Sequence, residues 1–299
     1  MASQPITQAG PVDRSLEDAT WHKTPGAQGR QDSLVDHGIE DDSRVMEVGD
    51  QGRGIEVTQQ EAKQDIDALL WSMRLSSTRR YFHQRYWEQE TADAEYASKV
   101  EPFPRLESVA EHSWHVADIV LMVGPRYPSI DIARAAMLAV LHDKMEIKTG
   151  DLSPVGRDGT GEKTHAFNEN ARLKKDDAER TAAERYLIML SGPASLLQAA
   201  LLREILDGTT DEARFVKAVD KLQALAFVVA KKAGRMTDKH LSFTMRYSEK
   251  VLQYWPSLMP HLNELRSRLF DDIARVRHSP VEDVLAVAYP DQPSLFGLL

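Results

Sequence analysis

Ten histidines and no cysteine limit the chemistry open to this chain. Any metal site has to be built from His, Asp and Glu. Disulfides, thiolate zinc sites, Fe–S clusters and cysteine nucleophiles are excluded. His142-Asp143 is followed by Glu146, which is i+4 from His142 and i+3 from Asp143, so on one helix the three side chains share a face. His112 lies in a preceding helical stretch, and Asp220 lies beside the apolar stripe of a later one. Helical bundles build metal sites in this manner, from side chains of several helices that converge on the interior. A divalent ion takes imidazole and carboxylate ligands, and two carboxylates offset its charge. Each residue also has a plainer use. A His near a helix C-terminus complements the dipole, as His142 would. Asp220 is flanked by Lys217 and Lys221, and Glu111 is placed to cap a helix.

These residues need a scaffold, and the pattern along the chain supplies helices. Ile66, Leu69, Leu70 and Met73 start an amphipathic segment at i, i+3, i+4, i+7. Residues 108–124 form a second, opened by the capping box Ser108/Glu111 and stopped by Gly124-Pro125. A third is expected over 130–149, with Ile132, Ala133, Ala136, Met137, Val140 and Leu141 on one face and Gly150 at C′. Further helices are expected over 174–190, 194–206, 212–233, 241–254 and 258–276. The stripe Phe215, Val216, Val219, Leu222, Leu225, Ala226 and Val229 marks the longest of them. No alternating stretch, hairpin signal or internal repeat is present, so the fold class is all-α, a helical bundle. The segment 151–171 is a long connection rich in Gly and charge, of the kind that is often functional.

Composition sorts the chain into parts. The net charge is −9 over 299 residues, and residues 1–60 alone hold 11 acids and 5 bases without apolar periodicity. The expected division is a disordered acidic tail over 1–57, a catalytic domain over 58–278 and an extension over 279–299. That extension carries Val281, Val284, Leu285, Val287, Leu295, Phe296, Leu298 and Leu299, more apolar surface than a monomer readily covers. Negative charge argues against a sequence-independent grip on nucleic acid. No run approaches the ~18 apolar residues of a membrane span. The first residues carry neither a basic n-region nor an apolar h-region, so a cytoplasmic protein is expected.

Three segments in order, Glu-Ser-Val-Ala-Glu-His112-Ser-Trp, then His142-Asp143-x-x-Glu146-x-x-x-Gly150-Asp151, then Val216-Lys-x-x-Asp220-Lys, resemble the HD-domain metal-dependent phosphohydrolases. The chain is most similar to their 5′-deoxynucleotidase branch, and the resemblance covers roughly residues 65–255. It implies an all-α HD-domain bundle holding one divalent ion, Mn, Co, Fe or Zn, on His112, His142, Asp143 and Asp220. It further implies that Glu146 helps to activate the attacking water and that Asp151 contacts the nucleotide sugar. The pattern includes an Arg seven residues before the first His, here Arg105, and an Arg beside an aromatic that orients the phosphate. Both Arg79-Arg80-Tyr81 and Arg85-Tyr86-Trp87 offer the latter. Dinuclear relatives need two further histidines between the His-Asp pair and the last Asp; only His165 lies there, so a single ion is expected. The implied activity is removal of the 5′-phosphate from a (deoxy)nucleoside monophosphate. The alternatives are a dNTP triphosphohydrolase using the same four ligands, or a non-catalytic nucleotide-binding HD protein. The implied assembly is a homodimer.

Overall fold

The structure, a computed structural model, describes residues 58–81, 84–88 and 106–290. The acidic tail, Arg105 and the last apolar residues, Leu295 to Leu299, lie outside the described residues. Those that are described form helices: α1 Gln59–Met73, α2 Arg85–Glu88, α3 Val109–Val123, α4 Ile132–Leu141, α5 Glu146–Thr149, α6 Glu169–Leu187, α7 Gly192–Asp207, α8 Asp211–Lys232, α9 Asp238–Ser248, α10 Lys250–Tyr254, α11 Met259–Arg277 and α12 Val281–Ala288. The all-α expectation holds. Among the described residues the only β pairing is a single bridge between Arg79 and Ser108.

Local chemistry explains where most helices begin. Thr58 and Ser108 open α1 and α3 with full capping boxes, the hydroxyl accepting from the N3 amide while the N3 glutamate accepts in return. Asn168, Thr210 and Thr237 cap α6, α8 and α9 by the same side-chain acceptance. The bundle is organised on α8. Its apolar stripe, Phe215, Val216, Val219, Leu222 and Leu225, is buried and packs against α3, α4, α10 and α11. Burial of each such side chain contributes about 1.5–3 kcal/mol, which holds the helix bearing Asp220 in place.

Four expectations are corrected. The helix over 130–149 is broken. α4 ends at Leu141, and residues 142–145 form tight turns with Lys144 N–H donating to Leu141 O at 3.1 Å and Glu146 N–H to Asp143 O at 3.0 Å. His142, Asp143 and Glu146 therefore do not share the face of one regular helix. The buried face of α4 is also different. Ala135, Leu138, Ala139 and Leu141 are buried, whereas Met137 and Val140 are 40% and 55% exposed. α4 is apolar almost all round, so periodicity had no polar side from which to choose a face. On α1 the stripe Ile66, Leu69, Leu70 and Met73 is more than half exposed, and Ala68 and Trp71 face inward instead, Trp71 stacked on Tyr186 at 4.7 Å. Finally, Val284 and Leu285 are not spare surface: they are buried in α12, which packs on α9 and α11.

The segment between α5 and α6 is shaped rather than open. Gly161 has φ +76, and a Cβ there would lie 2.9 Å from Pro154 O and 2.8 Å from the Phe243 ring, so only glycine fits. Tyr86 Oη donates to Gly159 O at 2.8 Å and Thr164 Oγ1 to Pro154 O at 2.6 Å. These bonds tie the loop to α2 and close it on itself beside the site.

Candidate active site

The structure brings the four expected ligands together from three elements. His112 sits in the first turn of α3 and is fully buried. His142 and Asp143 occupy the turn after α4, and Asp220 stands in the middle of α8. His112 Nε2 lies 3.1 Å from His142 Nε2, 3.2 Å from Asp220 Oδ1 and 3.4 Å from Asp143 Oδ2. His142 Nε2 lies 3.2 Å from Asp143 Oδ2. His112, His142 and Asp220 close into a group whose donor atoms all fall within 4.8 Å of one another. Asp143 Oδ2 approaches both imidazoles without belonging to that mutual group.

The far ring nitrogens decide what this cluster suits. His142 Nδ1 lies 2.7 Å from Ala139 O, an acceptor only, so Nδ1 carries the proton. His112 Nδ1 lies 2.8 Å from Gln223 Oε1, while Gln223 Nε2 donates to Glu107 Oε2 at 3.1 Å. That orientation of the amide makes His112 Nδ1 a donor as well. Both Nε2 lone pairs then face the same small space together with two carboxylates, an arrangement that a cation satisfies and a hydrogen bond between the imidazoles does not. Charge agrees. Burial pushes Asp143 up, but His142 and His112 hold it well below the usual carboxylate range. Burial likewise opposes ionisation of Asp220, and Lys221 and His112 outweigh it. Burial pulls His142 down, yet the neighbouring Asp143 and Asp220 raise it overall, as expected where the surroundings favour positive charge. The residues present fit a divalent metal cofactor.

A supporting layer escaped the sequence reading. Gln223 is one turn beyond Asp220 on α8, and Glu107 immediately precedes the cap of α3; both are buried. Arg80 joins them, donating from Nη1 to Glu107 Oε1 at 3.0 Å and to Gln223 Oε1 at 3.2 Å, in direct contact with His112 Nδ1. A polar residue interrupting the apolar stripe of α8 one turn from Asp220 was the available signal.

Glu146 is 4% exposed, with Oε1 3.6 Å from Lys175 Nζ and Oε2 buried without a hydrogen-bond partner. Burial, then Asp143 and Asp151, push its carboxyl well above the usual range, with Lys175 and Arg80 pulling the other way. Lys175 also contacts Glu179, one turn along α6. Asp151 accepts from Tyr81 N–H at 3.1 Å through Oδ2. Tyr81 is held at φ +62, a left-handed conformation unusual for a bulky residue, with its ring stacked on Phe227 at 4.8 Å.

The two adjacent arginines part company. The bridge between Arg79 and Ser108 makes this stretch extended, where successive side chains point to opposite sides. Arg80 turns inward to the cluster. Arg79 is 44% exposed, lies 4.0 Å from Glu111 and does not line the cavity. Arg85 Nη1 donates to Arg157 O at 3.2 Å, away from the ligands. His115 is half exposed, with Nδ1 3.3 Å from Glu107 Oε2. His165, to which no role was given, lines the site.

Beside the cluster is a cavity. Its lining includes the charged side chains of Arg80, Asp143, Glu146, Asp151 and Asp220. It also includes the aromatic and apolar Tyr81, Trp87, Val155 and Phe243, together with the neutral polar side chains Gln84 and Thr244. Both Gln84 and Thr244 are nearly fully buried.

The model of the HD domain matches residues 100–258, just over half of the chain. The chain belongs to the HD-domain family of phosphohydrolases. It is 28% identical over 167 residues to a 5′-deoxynucleotidase of Schizosaccharomyces pombe, spanning 53% of this chain and 74% of that one. It is 29% identical over 110 residues to a dATP triphosphohydrolase of Salmonella phage PMBT28, spanning 33% of this chain and about half, 52%, of the phage enzyme. A solved structure described as a predicted metal-dependent phosphohydrolase from Magnetospirillum magnetotacticum superposes on 71% of this chain and 97% of its own, with a TM-score of 0.48 at 20% identity.

Proposed function

We propose that the protein hydrolyses the 5′-phosphate ester of a (deoxy)nucleoside monophosphate, using one divalent ion held by His112, His142, Asp143 and Asp220. One observation carries the reading. A buried carboxylate oxygen, Glu146 Oε2, has no partner and stands in the same cavity as the metal-type cluster. It is the acceptor that a water attacking phosphorus needs. The bound ion supplies Lewis acidity to the phosphoryl group. Glu146 takes the proton of the water, and Lys175, fixed by Glu179, holds the other carboxylate oxygen. Among the described residues Arg80 makes its side-chain hydrogen bonds from Nη1, and the rest of its fork is offered to phosphate oxygens. Asp151 has Oδ2 committed to Tyr81 and offers Oδ1 to a sugar hydroxyl. The aromatic side chains of the cavity receive the base.

The names of the two sequence relatives support a nucleotide substrate. The test is a panel of nucleoside mono- and triphosphates incubated with the protein under several divalent ions, with nucleoside release followed by chromatography. Nucleoside from at least one 5′-monophosphate is expected. Tight nucleotide binding with no turnover under any metal would replace this reading with the non-catalytic one.

In this reading the catalytic domain is residues 58–278, and it acts in the cytoplasm without nucleic acid or membrane; no described helix is long and apolar enough to cross a membrane. Removing residues 1–55 is expected to leave helix content and turnover intact, because every residue placed at the site lies from Arg80 onward. A large drop in either, measured by circular dichroism and by the nucleoside assay, would refute that. The expected assembly is a homodimer. The exposed apolar face of α1, Ile66, Leu69, Leu70 and Met73, is the surface that supports it. Light scattering at micromolar concentration should give twice the chain mass, and a monomeric mass would count against it.

A further inference from the structure

The cavity beside the cluster takes part of its wall from one face each of α8 and α9, and the spacing along those helices orders its lining. Asp220, Lys221, Ala224, Leu225 and Val228 line it from α8. His240, Phe243, Thr244, Tyr247 and Ser248 line it from α9, again at the spacing of one helical face. The Lys221 ammonium lies 5.4 Å from the Tyr247 ring centroid. At the other end of α8, Lys232 donates to Tyr86 O, and the Tyr86 ring stacks on His240 at 4.4 Å. The two helices therefore run antiparallel along the cavity. Tyr247 stands beside the ligand-bearing turn of α8, and His240 lies two turns away, about 10 Å along the axis. Beyond Asp220 and Lys221 the α8 lining is apolar, and α9 opposes it with Thr244, Phe243 and His240.

Three polar side chains of this lining have nothing in the protein to bond to. Gln84, Thr244 and His240 are 3%, 6% and 4% exposed, and all three line the cavity. Among the described residues none of them makes a side-chain hydrogen bond; His240 has its stack on Tyr86 instead. Burial, then Lys232, pull the His240 imidazole down to about 3, so the ring is neutral and offers one donor and one acceptor. The Gln84 amide and the Thr244 hydroxyl each offer both as well. Gln84 reaches the cavity from the turn before α2, where its N–H donates to Tyr81 O at 3.1 Å. Tyr86, Phe243 and Val155 pack together beside these groups, apart from the main core. Polar groups so deeply buried cost free energy unless a ligand pairs with them. A flat heterocycle with donors and acceptors along its edge does so, and its faces pack on aromatic rings.

We propose that Gln84, Thr244 and His240 read the hydrogen-bonding edge of the nucleobase, so that the protein selects its nucleotide by base. The inference rests on the nucleotide reading above and deepens it from a class of substrate to a choice within that class. The two turns of α9 between Tyr247 and His240 give room for a sugar and a base beyond a phosphate held at the cluster. Adenine and cytosine present an amino donor at the edge where guanine and thymine present a carbonyl acceptor. Donors and acceptors fixed on α9 and in a hydrogen-bonded turn satisfy one of these patterns and leave a buried group unpaired against the other. The ranking of substrates therefore breaks between amino-edge and oxo-edge bases, not between large and small rings.

The test uses the full chain loaded with metal. Phosphate release is followed from the four deoxynucleoside 5′-monophosphates and from 2-deoxyribose 5-phosphate, which lacks a base. In the parent, kcat/KM should differ by at least about tenfold between the amino-edge and oxo-edge pairs, and the abasic ester should trail the preferred nucleotide by at least about 100-fold. Gln84→Leu and Thr244→Val hold the approximate volume and remove the hydrogen bonding. Each should lower the ratio of preferred nucleotide to abasic ester by at least about tenfold and flatten the ranking of bases. The ratio cancels any general loss of folded protein. Calorimetry gives a readout without turnover: in the Glu146→Gln background the same substitutions should weaken binding of the preferred monophosphate by about the same factor. A flat ranking of the four nucleotides in the parent, each well above the abasic ester, would overturn the proposal and leave the nucleotide reading intact; this result needs no variant to fold. A ranking by ring size that survives both substitutions would overturn it as well. Base-dependent binding that both substitutions weaken, with no ester cleaved under any metal, would overturn the hydrolytic reading and leave the base subsite standing.

Discussion

Glu146→Gln is expected to keep its metal and bind nucleotide as the parent does, while turnover falls by roughly 10²–10⁴-fold, the scale of general acid–base catalysis. The substitution preserves size and reach. Its amide oxygen satisfies Lys175, whose ammonium stands 3.6 Å from Glu146 Oε1. The amide nitrogen then occupies the place of the partnerless Oε2 and points a donor where the water needs an acceptor. The pH profile follows in sign. Burial, Asp143 and Asp151 raise the Glu146 carboxyl. A base works only when deprotonated, so kcat in the parent rises with pH through that ionisation, and the variant loses this limb. Elemental analysis of the purified variant and single-turnover kinetics separate the possible roles. Loss of metal without other damage would make Glu146 a ligand. Full turnover would remove it from proton transfer altogether.

The parts of this molecule that the sequence made legible are those written in local chemistry. The capping boxes at Thr58 and Ser108 and the stripe of α8 place helices to within a few residues. The order and spacing of His112, His142-Asp143 and Asp220 bring four side chains into one cluster. What stayed hidden depends on tertiary context. Nothing in His-Asp-Lys-Met breaks a helix, yet α4 stops at Leu141 because the turn lets two successive residues, His142 and Asp143, come within 3.2 Å of each other at their tips. Arg79 and Arg80 are equivalent on paper, and a single bridge to Ser108 sends one to solvent and the other to His112. Gln223 and Glu107 are unremarkable residue types that matter only because Arg80 and His112 converge on them. The left-handed Tyr81 carries no glycine-like signal, and its conformation is held by Asp151 and by stacking on Phe227.

Asp220→Ala should fail in the opposite manner from Glu146→Gln. Its carboxylate reaches the cluster from α8, whereas His142 and Asp143 come from the turn after α4, so its removal opens one whole side. The closed group loses a bond, and the site loses a negative charge that Lys221 and His112 keep ionised. Metal affinity is expected to fall by more than the roughly 10–100-fold typical of losing an outer partner of a ligand, and turnover should fall in step with metal content. A second effect accompanies it. Lys221 loses the carboxylate 2.6 Å away and, among the described residues, keeps Tyr247, whose ring centroid is 5.4 Å from its ammonium. A mostly buried ammonium without its partner destabilises by a few kcal/mol, so the melting temperature should drop as well. Asp220→Asn separates the two consequences, since it retains the hydrogen-bonding shape beside Lys221 while discarding the charge. Retention of parental metal content in Asp220→Ala, with turnover abolished, would mean that His112, His142 and Asp143 suffice to hold the ion and that Asp220 acts on the substrate instead.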